Sequence, residues 1–296
     1  MIRASVGAST HVGRIRDGNE DSYVVIDGLY FVADGMGGHS AGEVASAIAV
    51  GTLSDLHTSA PGGLVTEDQV ADAVSTANLA IFMEAIEDPS KAGMGTTLTG
   101  LVVTDPVAHK VVVANVGDSR TYLWRHGELR QVTKDHSHVQ SLVDRGAITR
   151  AEARVHFQRN IVLRAMGIES YVDVDTFPLD VEDGDRFIMC SDGLVDEAAD
   201  DEIEVEIREA TDVQDLADRL VDLANRNGGR DNTTVVVVDF ETVDETTASP
   251  DGRDVVCTLP AIDVSRPSRW FAVGAWSMFV LSAAIAITVV VSALVS

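Results

Sequence analysis

The sequence predicts an α+β domain in which sheets and helices form layers. Strand-like apolar runs come in pairs around tight turns such as Asp27-Gly28 and His126-Gly127. Two long helical patterns sit together between strand pairs, at residues 41–56 and 66–86, rather than alternating with strands. A β-branched run from Thr233 to Val238 is of the kind buried on both faces. This order suits stacked layers and not repeating βαβ units.

Taken in order, residues 2–12 alternate loosely and predict a first strand. Gly13 to Ser22 is a polar turn crowded with charge. Tyr23 to Ile26 and Leu29 to Ala33 flank Asp27-Gly28 as a hairpin. Ala41 to Leu56 is rich in Ala, Val and Ile at helical spacing, and Pro61-Gly62-Gly63 breaks it. Thr66 or Asp68 can cap the second helix, whose apolar positions are Val70, Val74, Ala77, Ile81 and Ala85. Strands are predicted at Thr96 to Val103, Lys110 to Val116, Thr121 to Trp124 and Leu129 to Val132. Short helical pieces follow at Val139 to Asp144 and Arg150 to Val155, then an irregular stretch from Phe157 to Gly167. Further strands are predicted at Val172 to Phe177 and Arg186 to Cys190, and a helix at Val213 to Ala224 with Leu216, Leu220 and Leu223 on one face.

The domain is predicted to span residues 1–240. Residues 241–269 change to Thr, Asp, Pro and Ser and read as a linker. The last 27 residues, Trp270 to Ser296, carry no charge. As a helix they would extend about 40 Å, more than the ~30 Å hydrocarbon core of a bilayer. They read as a transmembrane tail anchor, and Arg253, Arg266 and Arg269 before it keep the domain cytoplasmic. No signal peptide is seen at the N-terminus.

With Lys+Arg 22 against Asp+Glu 47, the net charge of −25 argues against a nucleic-acid partner. It suits a surface that collects divalent cations. The two cysteines, Cys190 and Cys257, have neither zinc-site nor disulfide-framework spacing, which points to a reducing compartment.

Asp34, Asp118 and Asp192 share one context: each ends an apolar run and stands beside Gly or Ser. Asp231 and the pair Glu20-Asp21 stand just before strands. Converging strand ends would gather these carboxylates, and like charges so gathered repel. Hard cations such as Mn²⁺ or Mg²⁺ relieve that conflict. Each motif taken alone is better explained by a surface turn, and it is their repetition along the chain that argues for a shared site.

Seven stretches together resemble the ordered motifs of bacterial metal-dependent protein phosphatases, the protein phosphatase 2C-like family. They are Arg16 to Asp21, Val32 to His39, Gly95 to Leu98, Val116 to Arg120, Thr133 to Ser137, Ser191 to Gly193 and Gly229 to Thr234. The resemblance implies two antiparallel sheets sandwiched between helix pairs, with two Mn²⁺ or Mg²⁺ ions at one end. It implies that Asp34 bridges the ions and that Gly35 offers its carbonyl. Asp192 and Asp231 would hold the first ion, with Glu20 on the side of the second. Asp21 would act through bound waters, and Asp118 with Asp192 would hold a weaker third ion. Arg16 matches the arginine that grips the substrate phosphate, as a planar fork suits phosphate oxygens.

The implied reaction is hydrolysis of phosphoserine and phosphothreonine in proteins by a metal-activated bridging water. It would oppose serine/threonine kinases of the same membrane. The alternative is a non-catalytic scaffold of the same fold that binds phosphoproteins. Met36 stands where animal members carry His, so His39 or a bound water are the candidates for the leaving-group proton donor. The flap, residues 137–167, contains Arg154, Arg159 and Arg164, which could read an acidic peptide or balance the acidic surface.

Overall fold

The computed structural model describes residues 1–37, 41–60 and 64–243. Its strands are β1 (Ile2–His11), β2 (Ser22–Ile26), β3 (Leu29–Ala33), β4 (Gly35–Met36), β5 (Gly95–Thr96) and β6 (Leu98–Asp105). They continue with β7 (Lys110–Val116), β8 (Arg120–Arg125), β9 (Glu128–Gln131), β10 (Asp175–Asp180), β11 (Arg186–Cys190) and β12 (Thr233–Thr242). The helices are α1 (Ala41–Ser59), α2 (Glu67–Glu87), α3 (His138–Asp144), α4 (Arg150–Arg154), α5 (Asp192–Glu197), α6 (Asp200–Glu209) and α7 (Val213–Asn227).

Two five-stranded antiparallel sheets form, in the orders β1-β12-β11-β8-β9 and β10-β7-β6-β3-β2. Their facing sides share a core that includes Tyr30, Leu101, Leu123, Phe187, Val236 and Phe240. Phe187 and Phe240 meet edge to face at 5.8 Å. Each such ring contributes about 1.5–3 kcal/mol by burial. Outside the second sheet, α1 and α2 bury Ala45, Ala49, Leu53, Val70, Val74 and Ile81. Outside the first, α5, α6 and α7 bury Leu194, Ile203, Leu216 and Leu220. The result is a four-layer α-β-β-α sandwich, and α2 starts as the sequence suggests, with Thr66 and Gln69 in a reciprocal capping box.

The antiparallel registers gather the site at one end. His11 at the end of β1 pairs with Thr233 at the start of β12, and Cys190 at the end of β11 pairs with both Val235 and Arg120. Val32 near the end of β3 pairs with Thr99, and Val116 at the end of β7 pairs with Leu98. The loops carrying Asp21, Asp34, Asp118, Asp192 and Asp231 therefore all leave the sandwich at the same edge.

Three sequence readings need correction. The strand predicted over Thr96 to Val103 is two: Gly95–Thr96 pairs with Gly35–Met36, and the chain changes partner at Thr97 before β6 begins. The strand predicted at Val172 to Phe177 lies at Asp175–Asp180, and Pro178 is tolerated within it because β10 is an edge strand bonded only to β7. Helices α5 and α6 were not anticipated, so Asp192 opens a helix rather than closing a turn. Three acidic residues in the first turn of α6, Asp200, Asp201 and Glu202, were the available signal.

Among the described residues no helix is long and apolar enough to cross a membrane. The predicted anchor (270–296) and the linker beyond Val243 lie outside the described residues, as does His39.

Candidate active site

Asp34 is held by its backbone. Its N–H donates to Thr97 Oγ1 at 3.2 Å, and its carbonyl accepts from Thr97 N and Thr96 Oγ1, each at 2.9 Å. Thr97 Oγ1 also meets Ser119 Oγ at 2.6 Å, which ties the Asp34 turn to the loop of Asp118. Beside it, Gly35 leaves no room for a side chain: a Cβ there would run into the carbonyls of Gly42 and Glu20.

The other half of the site is organised by residues that sequence reasoning missed. Ser191 Oγ donates to Asp21 Oδ2 at 2.8 Å and accepts from Thr234 N at 2.9 Å. Asn232, almost fully buried, accepts from Glu20 N at 2.8 Å and donates to Val12 O and Gly18 O, both at 2.9 Å. One amide thus pins the whole polar turn from Gly13 to Glu20 against the start of β12. In that turn Arg16 reaches across to Asp231, Nη2 to Oδ2 at 2.6 Å. Both Asn232 and Thr234 fall within a quoted motif, but only the register shows which atoms they hold.

The gathered acids divide into two linked groups. Asp34 and Asp192 face each other within hydrogen-bonding range, and Asp21 and Asp118 act on Asp34 through their charge. Arg16, Glu20 and Asp231 form the second group, and Asp231 acts on both Asp21 and Asp192. Burial, then the charge of Asp192, raises the Asp34 carboxyl well above the usual carboxylate range. Burial, then Asp118, raises Asp192 likewise. Burial pushes Asp21 up to about 6, and burial with the neighbouring Asp135 pushes Asp118 up to about 7. Glu20 is also raised, first by burial.

These shifts predict an unusual pH dependence for the metal-free chain. An unfolded Asp titrates near ~3.9, so between about pH 4 and 7 the folded chain holds protons on Asp21 and Asp118 that the unfolded chain has released. The folded state then binds more protons, and stability falls as pH rises through that window. Thermal denaturation in EDTA should give a higher midpoint at about pH 5.5 than at about pH 7.5. Added Mn²⁺ should reverse the order. A midpoint that rises with pH in EDTA would contradict the reading.

The donor set fits divalent cations. Four partly or fully buried carboxylates with mutually raised titrations are an unfavourable arrangement that cations relieve. Asp21 Oδ1 is buried and has no hydrogen-bond partner. Among the described residues no three His, Cys, Asp or Glu side chains close into a ready-made cage. Among the described residues the cysteine offers no competing nucleophile: Cys190 is buried, and burial pushes its thiol up to about 12.

The flap arginines point inward. Arg154 Nη1 donates to Val195 O and Ala198 O at 3.0 and 2.9 Å, at the C-terminal end of α5. Arg159 pairs with Asp196 at 3.3 Å and Arg164 with Asp175 at 2.6 Å. They fasten the flap to the sandwich around a cavity of about 190 Å³ that reaches Asp118 and Asp192. Phe157, by contrast, is exposed and stacks on the neighbouring His156 at 4.7 Å.

The fold and site define a two-sheet sandwich with a carboxylate-lined cleft beside Arg16. Comparison with known proteins gives this class a family. Residues 15–233 match the model described as Protein phosphatase 2C. The chain is 41% identical over 263 residues to the serine/threonine protein phosphatase PstP of Mycobacterium tuberculosis, covering 86% of this chain and 50% of that relative. It is 39% identical over 238 residues to the serine/threonine phosphatase stp of Listeria monocytogenes, covering 78% of this chain and 93% of that one. The crystal structure of the Mycobacterium tuberculosis phosphatase PstP/Ppp superposes with a TM-score of 0.76 at 39% identity, covering 82% of this chain and 100% of that chain. A structure of the PstP catalytic domain in complex with two manganese ions gives 0.74 at 38% identity, with the same coverage. The chain belongs to the protein phosphatase 2C family. It spans half the length of the PstP relative.

Proposed function

We propose that the chain is a protein phosphatase that hydrolyses phosphoserine and phosphothreonine with Mn²⁺ or Mg²⁺. The observation that carries this is the cluster of Asp21, Asp34, Asp118 and Asp192, with raised titrations, beside an arginine that stands half in solvent. The relatives named as serine/threonine phosphatases, and the manganese-bound PstP structure, support it.

Asp34, the Gly35 carbonyl, Asp192, Asp231, Glu20 and, through water, Asp21 would hold two ions, and Asp118 with Asp192 a weaker third. When bound, such ions supply Lewis-acid charge to the phosphoryl oxygens and acidify the attacking water. Arg16 orients the phosphate: its guanidinium, now on Asp231, can turn its second edge to two phosphoryl oxygens. Asn232 keeps the Arg16 turn in register with Asp231, and the backbone bonds of Asp34 fix the point from which its carboxylate reaches into the cleft.

Arg16→Lys keeps the charge but loses the fork. It should raise KM for a phosphothreonine peptide by about tenfold while leaving kcat within about threefold. An unchanged KM would remove the role. The activity itself is tested with that peptide and Mn²⁺; hydrolysis that survives EDTA would sink the metal-dependent reading.

Residues 270–296 are proposed as a membrane anchor that holds the catalytic domain at the cytoplasmic face, opposite serine/threonine kinases of that membrane. The uncharged run and the preceding arginines support this. Deleting it should move the protein from the membrane to the soluble fraction; a full-length chain already soluble without detergent would contradict it.

A further inference from the structure

We propose that His136 is a positioning residue that sets the Asp118 carboxylate, and that the far end of the flap in turn sets His136. This rests on the phosphatase reading above and assigns a task to a histidine outside the reacting groups. His136 grips both backbone groups of the residue before Asp118. Its ring Nδ1 accepts from Gly117 N at 3.0 Å, and its backbone N–H donates to Gly117 O at 2.9 Å. Gly117 sits at φ +107°, a conformation that side chains disfavour, and a Cβ there would press on Thr97. The Gly117-Asp118 turn therefore takes a path that only glycine follows easily, and the imidazole clamps it.

The clamp is itself held. Because Nδ1 accepts, the ring proton lies on Nε2, which donates to Asp175 Oδ2 at 3.1 Å. Arg164 Nη1, 3.1 Å from the same nitrogen, donates to Asp175 Oδ1 at 2.6 Å. Leu163 N, next to Arg164, donates to His136 O at 2.7 Å. The His136 side chain is only 8% exposed, so these partners leave it one orientation. A continuous chain of contacts thus runs from the flap's last turn, through Arg164, Asp175 and His136, to Gly117 and Asp118. Arg16 lies outside it.

The consequence is selective. Losing the clamp should slacken Asp118, hence the ion it shares with Asp192, while leaving the phosphate grip intact. Partners that orient a metal-holding group typically cost 10–100-fold in affinity or activity when lost. With p-nitrophenyl phosphate, His136→Ala should lower kcat by about tenfold and hold KM within about twofold. Mn²⁺ titration of the chain by calorimetry, without substrate, should show the weakest class of site weakened by about tenfold and the tighter sites unchanged. His136→Asn, which restores an acceptor near the Nδ1 position, should recover both readouts to within about threefold of wild type. Asp175→Ala, at the sheet edge, should shift both in the same direction as His136→Ala and serves where that variant folds poorly.

Unchanged Mn²⁺ binding in His136→Ala, or an Asn variant no better than Ala, overturns the proposal. A wild-type chain without hydrolytic activity whose weak Mn²⁺ site still depends on His136 would remove the phosphatase reading and leave the positioning role standing.

Discussion

Asp34→Asn should abolish phosphopeptide hydrolysis, by about a thousandfold or more, and yet raise the stability of the metal-free chain. Both effects have one cause. Asp34 sits among Asp21, Asp118 and Asp192, and its carboxyl is raised by burial and by their charges. Folding without metal obliges that carboxyl either to take up a proton or to bear a charge among like charges; the amide does neither and can still donate to Asp192, so the unloaded cleft is relieved without losing its hydrogen bond. For a domain of this size each kcal/mol gained is worth about 2–4 °C in midpoint. The same amide is a poor ligand for hard cations, so the stabilisation by Mn²⁺ seen in wild type should largely vanish. Activity in p-nitrophenyl phosphate assays and melting curves with and without EDTA check both halves. A variant that is inactive and also less stable in EDTA would mean that Asp34 acts as a structural residue.

Gly35→Ala should have the second largest effect, although it changes no chemical group in the cleft. The added methyl would meet the carbonyls of both Gly42 and Glu20, which are backbone and cannot rotate away. Overpacking of this kind costs about 1–3 kcal/mol, and more where backbone must move. The displacement falls on α1 and on the Glu20 loop. A shift of about 1 Å in such groups costs on the order of a hundredfold in rate. Circular dichroism melts and kcat for the purified variant test this. Wild-type kcat in a fully folded variant would show that the packing between β4, α1 and the Glu20 loop does not set the site.

Much of this was readable in the chain. Asp34, Asp118 and Asp192 were legible only as a set, since an acid-glycine turn after a strand is commonplace taken singly, and the turns at Asp27-Gly28 and His126-Gly127 fixed the hairpins. His126 and Gly127 both adopt positive φ, as a two-residue hairpin of that type requires. Other features depend on tertiary pairing that no local pattern encodes. Thr97 interrupts the strand predicted over Thr96 to Val103 because its N–H serves Asp34 O instead of the ladder. The edge strand β10 slid by three residues because its register is set by β7 alone. Helix α5 escaped notice because Ser191, its N-cap residue, spends its hydroxyl on Asp21 rather than on the helix. The flap arginines left two readings open; the structure turns Arg154, Arg159 and Arg164 toward the sandwich, and only the fold could supply their partners.

The central claim is that separate turns bring their carboxylates to one edge of the sandwich in order to hold a pair of divalent ions. Calorimetric titration of the EDTA-stripped chain with Mn²⁺ tests it without relying on any substrate. The account predicts at least two ions bound per chain, and the loss of both tight sites in Asp34→Asn. A wild-type chain that takes up no Mn²⁺, or an Asp34→Asn chain that binds the pair undiminished, would contradict it.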